Sequence, residues 1–391
     1  MMNRRYWMTL GMLLMVVAFV VAFSLISVSM WEGKKVEAET LIELQYNQEM
    51  SLKEFADANK LPDKVVMRVF HLKNPKQLEQ SLKNFPVTKE ELLKEVNETY
   101  AIYAESLSKN WMKIGLKFIL WFLFLSFMYY LIRKDKVSAK NRKWVYLISL
   151  VVFGVILGSD PSPMGTVKDA VTMYAIHYVL FIPRFVALLV FLLMVVVFNK
   201  FICAWGCQLG ALQDFIFRLN RNKKDTKGLI RQYKIPFAVS NGIRIGFFIL
   251  FTVIAFAWTF DIVEYIDPFK IFYPQVVSIV GWIFIGLILV ASVFVYRPWC
   301  HFFCPFGLVG WLFERFSFVK IKVNYSKCID CDACSKACPS TVMNTILKQD
   351  KVIPDCFSCA TCINVCPTDA ITFAGGKREK VPVGKFQKEN N

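Results

Sequence analysis

Apolar residues fall into six long blocks, at residues 6–31, 111–132, 144–159, 179–200, 237–258 and 276–296. A bilayer core of roughly 30 Å needs about 20 apolar residues in a helix. Five blocks meet that length, and 144–159 predicts a shorter span whose tilt or interfacial flanks absorb the difference. Between the first two blocks the pattern turns amphipathic. Ser51 and Glu54, like Thr88 and Glu91, have capping-box spacing, and Asn74-Pro75 places an N-cap before a proline at the first helical position. Short helices are therefore expected over 51–60, 63–71, 75–84 and 88–108. Residues 160–174 read as a loop and 173–182 as an interfacial turn, with Pro183 interrupting the start of the fourth block. After residue 296 the long runs stop, and short mixed segments rich in cysteine extend to a basic polar tail.

Charge gives these blocks a direction. The chain has 391 residues, a hydrophobic share of 55% and a formal net charge of +17. The positive charge clusters beside apolar blocks, in Arg133, Lys134, Lys136, Lys140, Arg142 and Lys143 and again over 218–234, whereas 160–174 is poor in it. That is the positive-inside pattern of an inner-membrane protein, not the footprint of nucleic-acid binding. It predicts a multi-pass protein with an uncleaved signal anchor at 1–31, a small extracytoplasmic helical domain at 32–110, and a span with a basic cytoplasmic loop at 111–143. A four-helix core at 144–317, a cytoplasmic cysteine-rich domain at 318–376 and a tail at 377–391 complete the order. The core carries an internal repeat. Residues 190–218 end in Cys203-Ala-Trp-Gly-Cys207-Gln, and 287–315 end in Cys300-His-Phe-Phe-Cys304-Pro. Each return follows an Asp-Pro pair, Asp160-Pro161 or Asp267-Pro268, so the two hairpins form a parallel repeat about an axis along the membrane normal. This symmetry is expected to gather the four cysteines at the cytoplasmic membrane edge.

All twelve cysteines fall into these two C-x3-C pairs and two longer runs, so none is left for an extracytoplasmic disulfide. The runs are Cys328, Cys331, Cys334, Cys338-Pro339 and Cys356, Cys359, Cys362, Cys366-Pro367. Their C-x2-C-x2-C-x3-C-P spacing is that of bacterial two-cluster ferredoxins, where the fourth cysteine of each run serves the other cluster. Cys328, Cys331, Cys334 and Cys366 are thus expected to hold one [4Fe–4S] cluster, and Cys356, Cys359, Cys362 and Cys338 the second. Zinc knuckles use paired C-x2-C units instead. The fold class that follows is a mainly α membrane protein of six transmembrane helices, including two parallel-repeat hairpins, with a C-terminal α+β ferredoxin domain. Cys203, Cys207, Cys300 and Cys304 are candidates for a further metal or redox centre; a dithiol or small buried side chains are the alternatives. Of the three histidines, His71 lies outside the membrane and His177 and His301 lie near opposite faces, so no bis-histidine haem is expected. Asp160, Asp267, Glu264 and Arg184 either bound a quinol pocket at the outer face or are solvated loop charges or ion-paired span ends. Arg244 lies inside a span and either snorkels or faces the bundle interior.

Paired C-x3-C units at span ends followed by a two-cluster ferredoxin resemble the NapH- and NosR-like membrane iron–sulfur proteins, over about residues 144–373. The eight ferredoxin cysteines with Cys300, Cys304 and Pro305 match the pattern, whereas Gln208 stands where the first pair would have proline. Residues 32–110 lack the flavin-attachment sequence of NosR-like members, so NapH-like proteins are the nearer resemblance and no flavin is expected. The resemblance implies electron transfer between the quinone pool and a protein redox partner, a reductase or cytochrome subunit. Two other functions fit the motifs: an assembly factor that reduces or delivers a metal such as copper to a respiratory enzyme, and a sensor relaying cluster state to the outer helical domain.

Overall fold

The computed structural model describes residues 2–31, 43–85 and 87–386. Helix α1 spans Met2–Trp31. A small helical unit follows, made of α2 (Leu52–Ala58), α3 (Asp63–Val69), two short 3-10 turns and α4 (Lys89–Leu107). Both capping boxes form, at Ser51/Glu54 and Thr88/Glu91. The apolar faces that they orient share a core of Leu52, Phe55, Val65, Val66, Leu92 and Val96.

The bundle then runs through α5 (Trp111–Arg133), α6 (Ala139–Ser149), α7 (Pro163–His177), α8 (Ile182–Phe198), α9 (Gln208–Leu219), α10 (Phe237–Trp258), α11 (Ile262–Ile266), α12 (Ile279–Phe294), α13 (Pro298–Phe302) and α14 (Pro305–Glu314). Among the described residues, Tyr6–Trp31, α5 and α10 are long and apolar enough to cross a membrane, while α8 and α12 are apolar but shorter. These helices expose large side chains such as Leu123, Leu193, Ile249 and Ile283. Exposed apolar surface on this scale suits lipid rather than water, and the chain is a membrane protein.

Several local outcomes differ from the sequence pattern. Residues 75–84, expected as a single short helix, form two 3-10 turns, Pro75–Glu79 and Leu82–Asn84, separated by extended Gln80. Residues 160–174, expected as a loop, enter α7, because Ser162 accepts the Gly165 N–H and Pro163 occupies the first helical position. Pro183 starts α8 rather than breaking it. The block 144–159 does not continue as one α-helix: beyond Ser149 it widens to π geometry over Leu150–Ile156. There Ser27 of α1 donates to the Ile156 carbonyl at 2.8 Å.

The cysteine-rich domain closes the chain. Strands β1 (Val319–Val323) and β2 (Ile371–Gly375) pair antiparallel with Ile321 opposite Phe373, and frame α15 (Ala333–Ala337), α16 (Val342–Lys348) and α17 (Thr361–Asn364). This domain is bonded to the bundle, not tethered to it. The Phe318 N–H donates to the Val196 carbonyl of α8 at 2.7 Å, and Phe373 stacks on Phe201 at 5.5 Å.

Candidate iron–sulfur centres

Both cysteine runs curl in the same way. The second residue after the first cysteine and the residue after the second cysteine are left-handed in each: Asp330 and Asp332, then Ser358 and Ala360. Aspartate tolerates this region through local hydrogen bonding, but alanine reaches it only where surrounding structure enforces it. The curls gather the thiols across the runs. Cys328, Cys331, Cys334 and Cys366 line one small cavity, and Cys338, Cys356, Cys359 and Cys362 line another. Donors already point at the sulfurs: the Ala370 N–H lies 3.3 Å from Cys366 Sγ, and the Thr361 hydroxyl 3.4 Å from Cys359 Sγ. Four convergent thiols with N–H and O–H donors in a mostly apolar wall match the donor set of a [4Fe–4S] cluster. The two cavities differ in depth. Cys331 is exposed at the far end, whereas Cys338 and Cys356 are buried against the bundle.

Charge is concentrated on the buried side. Burial raises the Cys359 thiol, but Arg218 and Arg142 outweigh that and bring it below its ordinary value. Both guanidiniums also donate to the Thr361 hydroxyl. Burial lifts the Asp355 carboxyl, yet Arg244 and Lys200 more than offset this and hold it at about 2. Burial pushes Glu314, which accepts the Cys356 N–H at 3.0 Å, up to about 8.

The second group of cysteines lies between α8 and α14. Cys203 sits in a π-turned segment, Ile202–Gly206, a geometry that tends to mark functional positions. All four thiols are buried. Each lies close enough to the other three for charge on one to be felt by the rest. Among the described residues no three His, Cys, Asp or Glu side chains close on a single-ion position, and this holds equally for the eight cysteines of the tandem runs. The depth of the group departs from expectation. Trp121, at the middle of α5, donates to the Gly206 carbonyl at 2.9 Å, and Ser149 donates to the Trp205 carbonyl. The C-x3-C pairs are thus level with the centre of α5, not with its end, because the segments carrying them fold back into the bundle as α9 and α14.

The two pairs are built alike. A Cβ on Gly210 would lie 2.5 Å from the Cys203 carbonyl oxygen and 3.1 Å from Arg297, and one on Gly307 would lie 2.7 Å from the Cys300 oxygen and 3.3 Å from Arg244. Only glycine allows this approach. An arginine from elsewhere in the chain caps each pair. Arg297 donates to the carbonyls of Cys203 and Ala204 at 2.6 and 3.1 Å, and Arg244 donates to that of Cys300 at 3.3 Å. A buried carboxylate holds each arginine: Asp214 for Arg297 at 2.6 Å and Asp355 for Arg244 at 2.9 Å. Arg244 therefore faces the interior. The Gly307 N–H lies 3.3 Å from Cys304 Sγ, and the Cys300 thiol 3.7 Å from Gln213 Oε1.

The second group touches the first. Trp205, inside the first C-x3-C, donates to the carbonyl of Ser358, inside the Cys356–Cys359 loop, at 3.3 Å. Phe357 packs on Tyr296 and His301 and lies 4.8 Å from the Arg297 guanidinium. His301 turns Nδ1 to the Arg297 carbonyl oxygen, at 3.1 Å. The sequence pattern missed Lys200, Asp214, Arg218, Arg297 and Asp355 as members of this centre. Lys200, Arg218 and Arg297 follow apolar blocks or sit in basic loops, which the positive-inside pattern absorbs as topology, and Asp214 and Asp355 carry no local signal.

Fold and site together define a membrane-embedded ferredoxin-type iron–sulfur protein. The chain resembles the NapH-like ferredoxin-type 4Fe–4S proteins. A 4Fe-4S dicluster domain matches residues 327–371, and a 4Fe-4S binding domain matches twice, at 180–227 and 277–324. The putative electron transport protein YccM of Escherichia coli is 27% identical over 198 residues, covering 48% of this chain and 54% of that protein. The ferredoxin-type protein NapH of Haemophilus influenzae is 27% identical, over 48% of this chain and 67% of its own length. A ferredoxin of Methanothermococcus thermolithotrophicus is 41% identical over 58 residues, 13% of this chain and 93% of that protein. The chain thus spans about half of YccM and about two thirds of NapH. No solved structure matches.

Proposed function

We propose that this protein transfers electrons between the quinone pool and a protein redox partner, with three [4Fe–4S] sites in series. The clusters supply one-electron storage and transfer; the polypeptide holds, spaces and insulates them. Cys328, Cys331, Cys334 and Cys366 hold the outermost, where exposed Cys331 faces the partner. Cys338, Cys356, Cys359 and Cys362 hold the middle one. Cys203, Cys207, Cys300 and Cys304 hold the third, within the bundle. The observation that carries this reading is the Trp205–Ser358 hydrogen bond, which joins the first C-x3-C to the loop of the middle site. The double match of the 4Fe-4S binding domain supports the third ligand set. Arg297 and Arg244, each held by a buried carboxylate, direct N–H donors at the backbone that carries this ligand set. Six spans, related in part by the parallel repeat, put the ferredoxin domain on the cytoplasmic side of the inner membrane and residues 32–110 outside.

A test uses the full chain in nanodiscs. A soluble ubiquinol or menaquinol is expected to bleach the iron–sulfur absorbance. In a Cys203→Ser, Cys304→Ser double variant this is lost, while dithionite still reduces the ferredoxin clusters. Equal quinol-driven bleaching in both proteins contradicts a third centre on the path.

A further inference from the structure

The bundle holds a large cavity that the cysteine sites do not use. It measures about 710 Å³ and opens at the end opposite the ferredoxin domain, bounded by the ends of α1, α4 and α5, by α7, and by residues 264–276. That volume suits a small organic ligand. Its wall is apolar where it meets the helices of the bundle, at Val28, Trp31, Ile114, Phe269 and Phe272, and charged elsewhere.

Most of that charge is already neutralised. Glu105 pairs with Arg184 at 2.9 Å, Asp160 with Lys109 at 2.9 Å, and Glu264 with Lys270 at 2.7 Å and with Lys168. Asp169 pairs with Arg184. Asp267 differs: among the described residues it is the lining carboxylate with no ion pair. It accepts instead from the Phe269 N–H, at 2.9 Å. Burial pushes its carboxyl up to about 6, against the pull of Lys168 and Lys270 and with Glu264 adding to the rise. A carboxyl in that range exchanges protons at neutral pH.

The floor of the cavity reaches the cysteines. Gly158, Ser159 and Asp160 form it. Gln208, the residue after Cys207, donates to the Ser159 carbonyl at 2.6 Å. The other end of that carboxamide, Oε1, is buried without a partner. Lys117, fully buried, donates from below to the Gly158 carbonyl at 2.7 Å. Lys113 lies over Gly158, its Nζ 2.9 Å from where a Cβ would stand. One hydrogen bond thus separates the floor from the residue bonded to Cys207.

We propose that this cavity binds the quinol head group, that Asp267 takes a proton from it, and that the released protons leave on the side away from the ferredoxin domain. This rests on the electron-transfer reading above and adds where the donor binds and where its protons go. The step balances: one quinol gives one quinone, two protons and two electrons, and the electrons leave singly to two oxidised iron–sulfur centres. Electrons move toward the ferredoxin side while protons stay behind, so turnover separates charge across the membrane.

The test uses the full chain in liposomes oriented with the ferredoxin domain outside. Two readouts are taken: the residues labelled by a photoreactive azidoquinone, and the proton release that accompanies cluster bleaching by ubiquinol. Labelling is expected within 105–114, 158–184 or 264–276, with protons appearing in the lumen. Asp267→Asn is expected to slow ubiquinol-driven bleaching at least ten-fold while iron content and dithionite reduction stay unchanged. Asparagine keeps an acceptor for the Phe269 N–H, so the turn is retained. Labelling elsewhere, protons released outside, or an unslowed Asp267→Asn each overturns the cavity assignment while leaving the electron-transfer reading intact. A wild-type protein with full clusters that no quinol reduces overturns both.

Discussion

Asp214→Ala is expected to destabilise the protein by about 3–5 kcal/mol, the usual cost of removing one partner from a buried ion pair. Asp214 is fully buried and accepts from Arg218 Nε at 2.6 Å, the Tyr296 hydroxyl at 2.7 Å and Arg297 Nη2 at 2.6 Å. Its removal strands two buried guanidiniums unequally. Arg218 retains Asp225, but Arg297 is left with the carbonyls of Cys203 and Ala204. A cation held only by neutral oxygens in a dry interior is costly, and nothing near can take up its proton. The damage falls on the segment that carries Cys203 and Cys207. Chemical denaturation in detergent should show the loss, and the variant should also lose iron on standing. A change below about 1 kcal/mol would mean that Arg297 finds another carboxylate.

Cys338→Ser is expected to remove the cluster on Cys356, Cys359 and Cys362 and to spare the one on Cys328, Cys331 and Cys334, although Cys338 belongs to the latter run. The cavities dictate this crossing, because Cys338 lines the void with the second run and Cys366 the void with the first. The lost site is the one in contact with Trp205, so electron delivery to the exposed cluster should fall at least a hundred-fold, a barrier increase of about 2.7 kcal/mol. Low-temperature EPR of the dithionite-reduced variant checks the assignment. The magnetic interaction between the two ferredoxin clusters should vanish, leaving the signal of the cluster on Cys328, Cys331, Cys334 and Cys366 uncoupled from a ferredoxin neighbour. Retention of the interaction spectrum would show that the runs do not exchange their fourth cysteine.

These two predictions draw on different kinds of information. The ferredoxin runs were legible at once, because three thiolates wrapping one cluster demand a fixed local spacing, and the left-handed turns at Asp330, Asp332, Ser358 and Ala360 are its direct consequence. The small helical unit was legible for a similar reason: caps such as Ser51 and Thr88 are local devices. The surroundings of the C-x3-C pairs were not. Arg297 reaches Cys203 and Asp214 from more than 80 positions away, and Arg244 meets Asp355 across 111. No periodicity encodes such a pairing; along the chain Arg297 reads as a flanking positive charge, and Arg244, inside a span, leaves snorkelling and an inward position both open. Their depth was hidden by the same route, since apolar blocks mark where a chain enters a bilayer but not where it folds back. Gln208 is an instructive case. It first registers as a departure from proline, and the structure gives it a partner, the Ser159 carbonyl.

The central claim is that Cys203, Cys207, Cys300 and Cys304 hold a third cluster. Iron determination with Mössbauer spectroscopy on the anaerobically purified full chain tests it most directly. The account predicts about twelve iron atoms per chain, falling to about eight in the Cys203→Ser, Cys304→Ser double variant with the ferredoxin EPR signals preserved. About eight iron atoms in both proteins, with identical spectra, would contradict it.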